Sequence, residues 1–213
     1  MSVTLQKGQK VDLTKGNAGL RHVIVGLGWD EAPPAQSGGL LSGIFGGGNK
    51  KQEEIDCDAM AFLLDSSGRL VNKADAVFFG NLNHSSGCVK HMGDNLTGGG
   101  DGDDEQISID LANLPNQYDR VVILVSIYKA VEKRQHFGMI RNAFIRLLDA
   151  DTNKELFVYN LTDNYSGTIG MIFGEIYRHE GEWKFGAIGE GLQESFIVAL
   201  GARYGLNPSV WNH

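Results

Sequence analysis

The chain has 213 residues, 42% of them hydrophobic and 21% charged, with a formal net charge of −7. That size and balance fit one globular domain able to bury about 70% of its unfolded surface, and the negative charge argues against a sequence-independent grip on nucleic-acid phosphates, which needs a basic face. No stretch approaches the roughly 18 apolar residues of a spanning helix, no apolar run follows the first charges of "MSVTLQKGQK", and Cys57 and Cys88 stand in a chain large enough to fold without disulfides, so a soluble, cytoplasmic protein with reduced thiols is expected.

In chain order, short runs rich in β-branched and aromatic residues predict strands at 21–29, 59–65, 76–82, 106–111, 120–128, 142–149, 155–161, 170–178 and 182–189. Their number and spacing predict an all-β fold, a β-sandwich of two mostly antiparallel sheets. "DSSGRL" (65–70) and "HEGEW" (179–183) read as tight hairpin connections with glycine at hand for positive φ. Near the C-terminus, Phe196, Leu200 and Tyr204 recur every four residues, which predicts one helix over 191–206, ended near Gly205 with Pro208 beyond. One segment breaks the pattern. Residues 31–54 hold two prolines, six glycines and a small apolar island, Leu40, Leu41, Ile44 and Phe45, and read as a surface insertion in a single domain spanning 1–213.

"GDNLTGGGDGDDE" (93–105) concentrates five carboxylates and five glycines in thirteen positions without a Lys or Arg. A solvated, self-repelling turn is the bland reading. Against it, the glycines free the backbone to bring carbonyl and carboxylate oxygens to one point, the mixture that Ca²⁺, with about six to eight oxygen ligands, requires. Asn95 and Thr97 add neutral oxygens. Asp56 and Asp58 lie two apart at the head of a strand, on one side by alternation, and Asp30 closes an earlier strand. Acids from three segments could therefore meet at one end of the sandwich around a divalent cation, calcium ahead of magnesium. An EF-hand begun at Asp101 fails, because Gln106 and Ala112 occupy its glycine and glutamate positions.

Other chemistries have weaker support. His84, Cys88 and His91 offer three ligands for zinc, but a closed structural site wants four in paired spacing, so a polar loop is the simpler reading. No nucleophile elbow, phosphate-binding loop or dinucleotide fingerprint is present. A metal-dependent hydrolase using the same acids is the alternative to a binding protein; it would need an open coordination position, a cleft and a general base.

The ordered motifs "V-G-L-G-W-D" (25–30), "D-x-D-A" (56–59), "G-D-N-L-T-G-x-G-x-G-D-D-E" (93–105), "V-S-I-Y" (125–128), "F-G-M-I-R-N-A-F-I-R" (137–146) and "G-E-I-Y-R-H-x-G-E-W-K-F-x-A-I-G" (174–189) resemble the TerD family of tellurium-resistance and general stress proteins nearly end to end. The resemblance implies a non-enzymatic, cytoplasmic β-sandwich that binds one or two Ca²⁺ ions in loops at one end and works with other Ter-type proteins at the inner face of the membrane; it leaves self-association open. It places the acidic cluster on Asp56, Asp58, Asp94, Asp103, Asp104 and Glu105, with Asn81, Asn95, Gly93 and Thr97 as helpers beside Asp30 and Asp101. Two positions depart from the family pattern: Lys129 stands at an Asp and Gly99 at a Glu. A lysine beside a cation site repels the ion, so weaker binding of a second calcium is expected.

Overall fold

A computed structural model of the chain describes residues 2–17, 19–31, 55–93, 102–161, 163, 165–194 and 197–211. Two six-stranded sheets form among these residues. The first runs in the order β1 (Val3–Leu5), β10 (Lys154–Asn160), β9 (Ile140–Asp149), β3 (His22–Glu31), β7 (Glu105–Asp110), β6 (Val89–His91). The second runs β2 (Lys10–Asp12), β12 (Glu182–Leu192), β11 (Gly170–His179), β8 (Arg120–Ile127), β4 (Cys57–Leu64), β5 (Ala76–Val77). Only β1 and β10 pair in parallel; the other pairings are antiparallel. The expected two-sheet sandwich is the observed one.

Alternation of side chains builds the core. Val23, Val25, Leu27 and Trp29 of β3 join Ile107 and Ile109 of β7 in facing Ala59, Ala61 and Leu63 of β4 and Val121, Ile123 and Val125 of β8. β4 is buried along its whole length, because its other face, Met60, Phe62 and Leu64, lies in a second apolar cluster with Leu200 of α2 (Ile197–Arg203) and Leu206 beyond it. Cover on both faces is why "CDAMAFLL" reads as an almost unbroken apolar run. The β11–β12 hairpin closes as its sequence predicts: Glu180 and Gly181 have φ of 54° and 82° between the paired residues His179 and Glu182, the conformation a two-residue hairpin turn demands.

Four expectations change in detail. β1, β2 and β6, three residues each, are added at sheet edges, and a one-turn helix, α1 (Ala130–Lys133), follows β8. The expected strand over 76–82 shortens to Ala76–Val77, because the chain reverses through reciprocal bonds between Phe78 and Asn81 of 3.1 and 2.8 Å. The turn at 65–70 closes on Asp65, but the chain then bonds Leu70 N–H to Tyr204 instead of entering a neighbouring strand. α2 is shorter than 191–206 because Gly191 and Leu192 pair with Met171 and Gly170 as the end of β12; it stops as expected before Gly205, at φ 83°. Glu31 still belongs to β3, and the rest of the expected insertion, 32–54, lies outside the described residues.

Leu200, on the inner side of α2, is fully buried. Leu200→Ala is expected to lower stability by about 2–5 kcal/mol, read as a fall in the urea midpoint at constant slope; a loss under about 1 kcal/mol would contradict the packing of α2 on β4.

Candidate metal centre

β6 and β7 pair through Val89–Ile109 and His91–Ile107, so the acidic stretch is the connection of a hairpin at one end of the sandwich. Asp94, Asn95, Thr97 and Asp101 lie outside the described residues; exposed Gly93 precedes them and Gly102 follows. From Glu105 onward the strand alternates, and Glu105 shares the inward row with its partner Leu27. Only 2% exposed, its Oε2 accepts the N–H of Ala59 at 2.5 Å. This bond crosses between sheets. It is available because β5 covers β4 only at Ala61 and Phe62, leaving the Ala59 amide to the carboxylate.

Asp104 runs along β3: its N–H donates to the Leu27 carbonyl at 2.7 Å, and its Oδ2 accepts the Trp29 N–H at 2.8 Å. Burial pushes its carboxyl above the ordinary range, against the Trp29 hydrogen bond, and the charges of Asp30 and Asp103 push it further. Asp30 is carried there by a bulge. Gly28 pairs with Phe144 and Asp30 with Arg141, and the extra residue Asn142, at φ 52°, donates its amide to Asp30 Oδ2 at 2.7 Å.

At the head of β4, Asp58 is 6% exposed and Asp56 half-buried, with the Asp56 carbonyl accepting the Tyr128 N–H at 2.8 Å. Cys57 lies between them. Burial pushes its thiol well above the ordinary value, and the charges of Glu105, Asp58, Asp56 and Asp104 add to the shift in that order. The buried thiol is therefore neutral, and four carboxylates from both sheets share its electrostatic neighbourhood.

Asp103 goes elsewhere. Its carboxylate lies on the outer face of the first sheet, where Oδ1 accepts Arg146 Nε at 2.6 Å and Oδ2 accepts the Gln106 amide at 2.9 Å. A Cβ on Gly26 would sit 2.1 Å from Asp103 Oδ2, and one on Gly28 2.9 Å from the carbonyl of Gly102. The glycines of "VGLGWD" thus open the face over which residues 102–103 run. Asn81 spends its amide N–H groups on the carbonyls of Ala76, at 2.8 Å, and Ala74, at 3.3 Å. Lys129, in the left-handed conformation at φ 52°, follows the Tyr128 amide that bonds Asp56, but its Nζ lies 5.5 Å from the Tyr128 ring centre and 3.9 Å from Glu132.

Among the described residues, no three His, Cys, Asp or Glu side chains form a ready-made metal cluster. What they supply is an incomplete set of hard oxygen donors: Asp56, Asp58, Asp104 and Glu105, crowded and partly desolvated. Such a set fits Ca²⁺ or Mg²⁺ better than a soft ion. The zinc alternative fails on geometry. His84 Nε2 lies 3.3 Å from Asp75, whose same oxygen accepts Tyr118 Oη at 2.7 Å; Cys88 Sγ donates to the Asn113 carbonyl at 3.3 Å; His91 faces Glu105 instead. Two surface cavities of about 300 and 260 Å³ are lined by residues outside the acidic cluster, so neither supplies the cleft the hydrolase alternative requires.

Four participants escape sequence reasoning. Arg146 reads only as an edge cation, although it binds both Asp103 and, at 3.3 Å, Glu155. The Trp29 and Ala59 amides are backbone groups without a sequence signature. His91 reads as a loop residue; the faint signal is its place two residues before Gly93, where the acidic stretch begins.

The sequence matches the model of the TerD domain over residues 1–204. It is 48% identical to the stress response protein SCP2 of Bacillus subtilis (strain 168), covering 96% of this chain and all (100%) of that protein. To the tellurium resistance protein TerD of Serratia marcescens it is 41% identical, covering 98% of this chain and 100% of that one. The fold is similar to a crystal structure of a homologue of telluride resistance protein from Streptomyces coelicolor A3(2), with TM-score 0.61 and 21% identity, covering 84% of this chain and 95% of that one.

Because the Asp104 carboxyl is raised in the fold, the metal-free protein loses stability as pH climbs from the ordinary carboxylate value through the raised one. Asparagine mimics the protonated state while keeping an acceptor for Trp29. Asp104→Asn is expected to raise the melting temperature in chelator near neutral pH and to change it little below about pH 3.5, where the unfolded carboxyl also holds its proton. A variant less stable than the parent at neutral pH would contradict the crowding.

Proposed function

The chain belongs to the TerD family of tellurium-resistance and general stress proteins, and from that premise we propose that it binds calcium in its acidic end and, once loaded, presents that end to partner proteins. Asp56, Asp58, Asp104 and Glu105 are the described residues that would hold the ion. Asp94, Asn95, Thr97 and Asp101 would complete the donor set, with Asp30, Asn81 and Gly93 as helpers. Asp103 serves from the outer face, through Arg146, to hold the adjoining backbone in place. The count is one or two ions.

The observation that supports this reading is that the charges of four carboxylates from both sheets, Glu105, Asp58, Asp56 and Asp104, all act on the buried thiol of Cys57, in surroundings that already raise the Asp104 carboxyl. Like charges held this close oppose folding, and a divalent cation turns their repulsion into attraction; binding is thereby coupled to ordering of the site. The work is binding rather than catalysis. In the same reading the protein is cytoplasmic, and its partners are other Ter-type proteins gathered at the inner membrane face. The names of the relatives support the stress-response setting. No helix of the described residues is long and apolar enough to cross a membrane, so such a location would come through partners or surface contact.

Calorimetric titration of chelator-stripped protein with Ca²⁺ is expected to show one or two saturable events, with Mg²⁺ weaker. At a hundredfold excess of free calcium over Kd, stability should rise by about 2.7 kcal/mol. The double variant Asp58→Asn/Asp104→Asn should remove most of that gain, whereas Asp103→Asn should retain more of it and lose stability through Arg146. An unchanged calcium response in the double variant would overturn the assignment, as would phosphatase turnover in Mg²⁺ or Mn²⁺ that disappears with it.

A further inference from the structure

His91 is the last residue of β6 and lies almost wholly inside the protein, its side chain 1% exposed. Its Nδ1 accepts the Gly93 N–H at 3.3 Å. In the neutral ring that acceptor role leaves the proton on Nε2. Nε2 has no hydrogen-bond partner and points at Glu105 Oε2 from 3.6 Å, too far for a hydrogen bond. Leaving a buried donor in this state is costly unless something completes it. The ladder explains the placement: His91 pairs with Ile107, and the Met92 N–H donates to the Gln106 carbonyl at 2.9 Å, so position 91 sits where the acidic connection leaves β6 and re-enters at β7.

We propose that His91 is a positioning residue: one imidazole staples the two ends of the acidic connection, Gly93 through Nδ1 and Glu105 through Nε2–H, and aims the Glu105 carboxylate at the cation. This inference rests on the calcium reading. His91 is not itself a ligand, because calcium takes oxygen donors. Glu105 Oε2 is already drawn toward the Ala59 amide, so the imidazole acts on an oxygen with a second anchor. A shift of a fraction of an ångström would bring Nε2–H within hydrogen-bond reach of Glu105 Oε2. Partners that orient a metal-binding carboxylate in this way are worth about ten- to a hundredfold in affinity.

The test uses the full chain with His91→Phe, which keeps a ring and removes both polar contacts, and His91→Gln, which returns an amide to them. Calcium titrations run where circular dichroism shows all three proteins folded, together with amide exchange at Gly93 in chelator. The phenylalanine variant should bind calcium about ten- to a hundredfold more weakly and exchange Gly93 faster, and glutamine should recover part of both. A folded phenylalanine variant with parental affinity, or with Gly93 exchange unchanged, overturns the staple. If the parent itself takes up no calcium, the calcium reading falls, and Gly93 exchange alone decides the staple. Should the phenylalanine variant fail to fold, the imidazole ¹⁵N spectrum of the parent decides: an Nε2-protonated ring that shifts with calcium supports the proposal, and an Nδ1-protonated ring overturns it.

Discussion

A single carboxylate spans the two sheets at the acidic end. Glu105 starts in β7 of one sheet and takes the Ala59 amide of β4 in the other, in an interior that leaves it 2% exposed. Ionised groups are rarely held so deep without partners, and this one constrains everything near it. The register of β7 on β3, with Glu105 opposite Leu27, is locked, because a slip of one residue would exchange Glu105 for Gln106 on the inward face. The length of β5 is constrained too: a strand continuing past Val77 would cover the amide that Glu105 needs.

From this anchor the acids divide by side. Glu105 enters the sandwich, Asp104 follows the edge of β3 to the Trp29 amide, and Asp103 crosses to the outer face, where Arg146 neutralises it. Neighbours in sequence thus have different electrical fates. One is paired with a cation of the protein, while Asp104 sits where burial and the charges of Asp30 and Asp103 disfavour ionisation. A chain with a net charge of −7 brings carboxylates of both sheets into one electrostatic neighbourhood. That arrangement is unfavourable for stability alone and becomes useful if a cation arrives.

Much of the fold is legible in the residues. β3, β8, β11 and β12 announce themselves through β-branched and aromatic residues because each packs against the core between the sheets, and burial selects composition. The β11–β12 turn is legible because its geometry requires positive φ, which Gly181 accepts readily. Edge strands are not: β1, β2 and β6 are three residues long and present polar side chains to solvent, so their composition resembles that of loops. The end of β12 reads as helix for a related reason, since Gly191 and Leu192 are held by pairing with β11 rather than by any local preference.

The sequence alone determined that carboxylates would be concentrated next to the ends of strands, at Asp30, Asp56–Asp58 and Glu105, because charge and alternation are local properties. It determined the family as well, since ordered motifs survive without coordinates. Tertiary structure alone decided which acid faces inward, which one Arg146 neutralises, and that buried His91 stands between Gly93 and Glu105. Those choices depend on where β7 begins to alternate and on which strand of the opposite sheet exposes an amide. Both are set by pairing between residues far apart in the chain, which no local pattern encodes.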